Sequence, residues 1–220
     1  MIFFTPYDKI VGAFLGRLPE DLGEEFFQVD QVHGDTVITV RDFREAKAMK
    51  GKKADAIVAT AWAVPIAIRT ADCVPILLAH PKQVVAAVHA GWRGTKAEIL
   101  AKTIRIMEKE FKADPSEIFV AIGPSICGTC YEVGQEVAEH FRPAAASEVC
   151  RPRANSEKFD LDLKVANAAQ AVAAGIRPEN LEIHPECTRC REDLFHSHRG
   201  ALARGEEKAG RNYSWVMIAP

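Results

Sequence analysis

Arg69-Thr-Ala-Asp-Cys-Val-Pro-Ile-Leu-Leu78, a short turn, then Val84-Val-Ala-Ala-Val-His-Ala-Gly-Trp-Arg-Gly-Thr95 is the stretch that decides the fold. Two apolar runs of strand length flank one short turn, so two strands are expected. Each run carries a metal-capable residue at its end. Cys73 opens the first and His89 closes the second. A third candidate, His33, stands upstream in Gln31-Val-His-Gly34. One Cys and two His from separate places make a three-ligand site with an open position, the pattern of a catalytic rather than a structural zinc.

Further strands are expected at Val37–Val40, Ala56–Thr60, Pro65–Arg69, Val74–Ala79, Val84–Val88, Ile118–Ile122, Leu181–His184 and Ser214–Ala219, which are short, β-branched runs bounded by Gly, Pro or charge. Thr95 and Glu98 have capping-box spacing ahead of a helix to Phe111, whose face is Leu100, Ile104, Met107 and Phe111. Other helices are expected over Val133–Phe141 and Leu163–Ala174, the latter with Asp160 or Asp162 at its start and Gly175 past its end. The polar run Arg199–Arg211 reads as a loop. Strands dominate without strict βαβ alternation, which argues for α+β class with mixed β-sheets and helices outside. No linker or repeat divides residues 1–220, so a single domain is expected.

With 220 residues and 48% apolar content, a sizeable core is available. The net charge of -2 implies no basic face, so nucleic acid is not an expected partner. No run spans a bilayer, and the N-terminus lacks a basic, then apolar leader, so a cytoplasmic protein without a membrane partner is expected. A monomer is the default expectation. The ligand should be small.

Asp72 can orient Cys73 through a carboxylate. Arg93, with a helix start near Gly94 and Thr95, suits a phosphate or similar anion, and Arg69 is a weaker candidate. Glu132 is a possible second acid or base. Against the metal reading, a lone strand-end His is more often a hydrogen-bonded structural residue, and a lone Cys a small buried hydrophobe. Cys127 and Cys130 form one C-x-x-C, Cys187 and Cys190 another. Together they could hold a structural zinc, and the Cys127 pair, after the Gly123-Pro-Ser-Ile126 turn, could be redox-active, but their wide separation favours ordinary thiols. Cys150 looks incidental in a polar loop.

Gln31-Val-His-Gly34, Thr70-Ala-Asp-Cys-Val-Pro75, Val88-His-Ala-Gly-Trp-Arg-Gly-Thr95, Gly123-Pro-Ser-Ile126 and Cys130-Tyr-Glu-Val-Gly134 resemble the laccase-domain proteins, the YfiH-like purine nucleoside phosphorylases. Cys187-Thr188, Leu194-Phe195, Ser197 and Gly210-Arg211 resemble the closing motif of that family. The resemblance runs from about Gln28 to the C-terminus. The segment Phe195-His-Ser-His-Arg199 departs from an aromatic-rich Ser-Arg segment in relatives, which leaves the substrate-side contacts less defined than the metal ligands.

The resemblance implies a four-layer α/β/β/α domain and zinc held by His33, Cys73 and His89. It implies phosphorolysis of adenosine, inosine, guanosine and methylthioadenosine, hydrolytic deamination of adenosine, and purine nucleosides and phosphate as partners. Arg93 and Thr95, with Arg69, are then the phosphate contacts, and Cys73, Asp72 and Arg93 the catalytic set. Other readings stay open. One is removal of a wrongly added serine from a cell-wall precursor at the same zinc. Another is copper oxidase chemistry, for which four Met and seven His are a sparse supply. A Cys73 nucleophile without metal is a third. A non-catalytic zinc or redox module on the two C-x-x-C pairs is a fourth.

Overall fold

Residues 1–17, 26–141 and 148–220 are described by the computed structural model. Strands β1 (Ile2–Phe4) and β2 (Ile10–Leu15) open the chain, followed by β3 (Val37–Val40), helix α1 (Phe43–Met49), β4 (Ala56–Ala59) and β5 (Ile66–Thr70). The hairpin β6 (Val74–His80) and β7 (Val84–Ala90) leads into α2 (Trp92–Lys96), α3 (Ile99–Phe111) and β8 (Phe119–Ile122). Then come β9 (Glu132–Val133), α4 (Gln135–Ala138), β10 (Cys150–Pro152), β11 (Phe159–Leu161) and α5 (Leu163–Ala173). Strand β12 (Leu181–Ile183), helix α6 (His198–Ala203) and β13 (Asn212–Ile218) complete it.

The two expected strands β6 and β7 pair as a hairpin at the centre of a six-stranded mixed sheet ordered β12-β8-β6-β7-β4-β3, in which β12/β8 and β3/β4 pair parallel. Every residue of β6 and β7 is buried, because the sheet is covered on both faces. The period of two sorts their side chains. Val74, Ile76, Leu78, Val84, Ala86 and Val88 join one core with Leu100, Ile104 and Met107 of α3. Leu77, Ala79, Val85 and Ala87 join a second core shared with Ile66 and Ile68 of β5 and with Val216 and Ile218 of β13. That second core lies against an antiparallel four-stranded sheet, β1-β2-β13-β5. Each fully buried Ile or Leu stabilises the fold by about 2 kcal/mol relative to exposure, so the open end of the hairpin, which bears Cys73 and His89, is firmly anchored. The α+β class with helices packed on mixed sheets agrees with the sequence reading.

Several boundaries differ. Thr95 and Glu98 do not cap α3: Thr95 lies inside α2, and Glu98 takes a left-handed φ of 59° with no side-chain cap. The Thr95 hydroxyl is instead consumed by Asn167 of α5 at 3.0 Å. Of the helix expected over Val133–Phe141, only Gln135–Ala138 is α-helical, because Glu132 and Val133 pair with β11. Asp162, rather than Asp160, caps α5 by accepting from Lys164 and Val165 amides. Cys150 belongs to β10 rather than a loop. The run Arg199–Arg211 is helical over its first residues, with Ser197 accepting from the Gly200 amide at 3.0 Å as the N-cap of α6.

Candidate metal centre and its cavity

The antiparallel register Pro75↔His89 places Cys73 and His89 at one end of the hairpin, and Ala56↔Val88 sets Asp55 across from His89. His33 arrives from the loop before β3. Its imidazole meets that of His89 edge-on, with ring centroids 4.8 Å apart. The His33, Cys73 and His89 donor atoms lie within 4.8 Å of one another. Ligands bound to zinc at roughly 2.0–2.3 Å sit about 3.3–3.8 Å apart, so a small inward adjustment of exposed His33 closes the site. The donor chemistry, one thiol and two imidazoles with a fourth side open, fits a metal.

Asp55 organises two of the three ligands. Its carboxylate accepts from His89 Nδ1 at 2.8 Å, from the His33 amide at 2.9 Å and from the Gly34 amide at 2.7 Å. The His89 Nε2 is thereby left as the coordinating nitrogen. Gln31 ties the same loop down, its side-chain amide exchanging two 2.8 Å hydrogen bonds with the Arg69 backbone on β5. His33 (φ 59°), itself a donor, and Asp72 (φ 87°), next to Cys73, both hold left-handed backbone that side chains disfavour. Gly91 allows close approach of the donors: a Cβ there would lie 3.2 Å from Cys73 Sγ and 3.5 Å from His33 Cδ2.

Burial resists ionisation of Cys73, but the charge of His89 and hydrogen bonds from His33 and His89 prevail and bring the thiol down to about 6. Burial likewise opposes charge on His89, yet Cys73 and Asp55 hold it up to about 9. The centre is therefore poised as thiolate and imidazolium, a state whose protons a cation can displace.

The triad forms part of the wall of a cavity of about 460 Å³. Asp72, Arg93 and Arg69 also line it, as the sequence suggested, but Thr95 does not; it is fully buried on Asn167. Nor does Glu132, whose carboxylate pairs with Arg153. The expected helix start is also displaced, since α2 begins at Trp92 and spans five residues, so the side chains of Trp92 and Arg93 face the cavity in its place. Arg199, Arg211, His198 and Tyr131 complete the polar lining. Among the described residues, none of the four cavity arginines pairs with a carboxylate within 4 Å. Asp72, the acidic residue of the lining, is occupied: Oδ1 accepts from the Thr188 hydroxyl and Oδ2 from the Arg199 amide, each at 2.7 Å. Burial, then the charge of Cys73, push the Tyr131 phenol up to about 12, so it remains a hydrogen-bond donor.

The sequence reading missed Asp55, Tyr131, His198, Arg199 and Arg211 as site residues. Asp55 left a signal, a lone carboxylate inside Ala54-Asp-Ala-Ile-Val-Ala59, where nothing else is polar. The sequence reading weighed the two C-x-x-C pairs as a structural zinc site or ordinary thiols and favoured the latter; their four sulfurs converge within 4.8 Å.

Residues 14–219 match the model of the multi-copper polyphenol oxidoreductase laccases. The chain belongs to that family. Its relatives carry other names. It is 34% identical over 208 residues to "Purine nucleoside phosphorylase YlmD" of Geobacillus stearothermophilus, covering 88% of this chain and 74% of the relative. The crystal structure of YlmD from that organism superimposes with a TM-score of 0.77 over 89% of this chain and 75% of its own, at 31% identity. A purine nucleoside phosphorylase of Deinococcus radiodurans is 38% identical over 206 residues, 92% of this chain and 74% of that one. "Adenosine deaminase RL5", from an unknown prokaryotic organism, is 38% identical over 148 residues, 66% of this chain and 56% of the relative. These relatives are named as nucleoside phosphorylases and an adenosine deaminase. No helix among the described residues is long and apolar enough to cross a membrane.

Proposed function

We infer that this chain is a zinc-dependent purine nucleoside phosphorylase, acting on adenosine, inosine, guanosine and methylthioadenosine and also deaminating adenosine. One observation carries the reading: a Cys-His-His donor set and four arginines that, among the described residues, have no carboxylate partner within 4 Å share one cavity. Its size, about 460 Å³, is in the range that holds small molecules. Deamination alone gives no use for so many guanidinium groups, whereas phosphate binding does.

His33, Cys73 and His89 would hold the zinc, which supplies Lewis acidity for neutralising developing charge and activating a nucleophile. Arg93 and Arg69, joined by Arg199 and Arg211, bind and orient the phosphate dianion. Phosphorolysis forms a bond from a phosphate oxygen to C1′ as the bond from C1′ to N9 breaks. The purine leaves with the electron pair and must gain a proton. The His198 imidazole and the Tyr131 phenol are the cavity groups that can supply an N–H or O–H to it. Trp92, Tyr131, Ile126 and Leu163 provide apolar wall for a purine face and exclude water from it. Asp72 positions Cys73 and Arg199 rather than moving protons, because both its oxygens are already engaged. Copper accepts the same donors, but among the described residues no methionine lines the cavity to complete a blue-copper set.

Chromatography of zinc-replete protein with inosine, adenosine and methylthioadenosine, with and without phosphate, tests the reading. Free base together with ribose 1-phosphate, formed only when phosphate is present, is expected from inosine. Base release independent of phosphate would turn the reading to a hydrolase.

A further inference from the structure

The parallel pairing of β8 with β12 sets two strand ends side by side, with Ile122 opposite Ile183. Both segments leave the sheet in the same direction. The pairing resumes as a bridge between Ser125 and Cys187, with the Thr188 amide donating to the Ser125 carbonyl at 3.1 Å. Immediately beyond, Cys127-Gly-Thr-Cys130 and Cys187-Thr-Arg-Cys190 each fold into a tight turn. The two turns face each other across a chain separation of 60 residues, with Cys130 Sγ 3.5 Å from Cys190 Sγ. All four sulfurs lie within 4.8 Å of one another. A tetrahedral zinc tetrathiolate has sulfurs about 3.8 Å apart, so the cluster matches in number and in scale.

Donors converge on Cys127 and Cys187, while burial pushes the Cys187 and Cys130 thiols up. The Cys127 amide points at Cys187 Sγ at 3.3 Å, and the Cys190 amide at the same sulfur. The Thr129 hydroxyl lies 3.3 Å from Cys127 Sγ. Amide and hydroxyl donors stabilise sulfur anions as they do carboxylates. A buried cation, Lys164 Nζ, donates to the carbonyls of His184 at 2.7 Å and Glu186 at 2.8 Å, and its charge acts on Cys187 and Cys127. Four bare thiolates so close would repel one another strongly. A divalent cation removes that conflict and releases the thiol protons on binding.

We propose that Cys127, Cys130, Cys187 and Cys190 bind a second, structural zinc ion, separate from the Cys73 centre. It clasps the two segments that support the floor of the cavity. Ile126, next to Cys127, lines the cavity, and its amide donates to the Asp72 carbonyl at 3.1 Å. Thr188, next to Cys187, holds the Asp72 carboxylate. The tetrathiolate therefore fixes Asp72 from two sides while touching no substrate.

Metal content by mass spectrometry of three proteins tests this without relying on turnover. Two zinc equivalents are expected in the native chain, one in the His33→Ala/Cys73→Ala variant and one in the Cys130→Ser/Cys190→Ser variant. The last should also unfold at a temperature lower by on the order of 10 °C. Should that variant fail to fold, cobalt loading of His33→Ala/Cys73→Ala decides: the intense visible bands of tetrahedral cobalt tetrathiolate are expected. A His33→Ala/Cys73→Ala protein that holds no tightly bound zinc, and whose four remaining paired cysteines titrate as free thiols or are found as disulfides, overturns the proposal. Because that variant lacks the other centre, the result stands whether or not the phosphorylase reading survives.

Discussion

Asp55 Oδ1 accepts the Nδ1–H of His89 at 2.8 Å while the same carboxylate takes the amides of His33 and Gly34. A single buried side chain thus sets the tautomer of one ligand and the loop position of another. Asp55→Asn keeps the volume but loses the charge and half of the acceptor capacity. The expected outcome is a 10–100-fold loss of zinc affinity at the Cys73 centre, as for other carboxylates behind a ligating histidine, measured by chelator competition. Unchanged affinity would show that the carboxylate does not orient the ligand.

Gly91 tests how tightly the donors are packed. The added methyl of Gly91→Ala would crowd Cys73 Sγ at 3.2 Å, and a bound metal prevents the sulfur from retreating. Zinc binding should weaken by roughly tenfold, about 1.4 kcal/mol, with the fold retained in circular dichroism.

Arg93 separates anion binding from metal binding. Arg93→Ala removes a guanidinium worth about 1.5–3 kcal/mol in a charge-assisted contact, so kcat/KM for phosphate should fall roughly 10–100-fold. Zinc content should not change. A variant with native phosphate kinetics would remove Arg93 from the phosphate site.

Acidity provides a check on the metal-free protein. Cys73 is lowered from 9.0 to about 6, so its thiolate contribution to stability is in place above pH 9 and is lost as pH falls through 6. His89 is raised from 6.5 to about 9, so its imidazolium contribution is complete below pH 6.5 and is lost as pH rises through 9. Alkylation of Cys73 by iodoacetamide, followed by peptide mass spectrometry, should reach half its maximal rate near pH 6. A midpoint near 9 would show an ordinary thiol.

The two central strands and the three donors were legible because each is local. Val74–His80 and Val84–Ala90 are unbroken apolar runs, and Cys73, His89 and His33 lie within short specific strings. What escaped depends on long-range pairing. Asp55 meets His89 only through the β4/β7 register, and Cys127 meets Cys187 only through the β8/β12 crossover. Local rules also lost to tertiary demand. Thr95 and Glu98 have capping spacing, but Asn167 claims the Thr95 hydroxyl and the chain bends left-handed at Glu98. The polar residues after Ser197 suggested a loop, yet Ser197 caps a helix whose Arg199 amide docks on Asp72.

The most direct test of the central claim is turnover of inosine with phosphate by His89→Ala, with zinc at the Cys73 centre counted in the same sample. Loss of both that zinc and all base release is expected, with the fold intact. Phosphorolysis at the native rate in a His89→Ala protein would contradict the assignment and move the reaction to another part of the molecule.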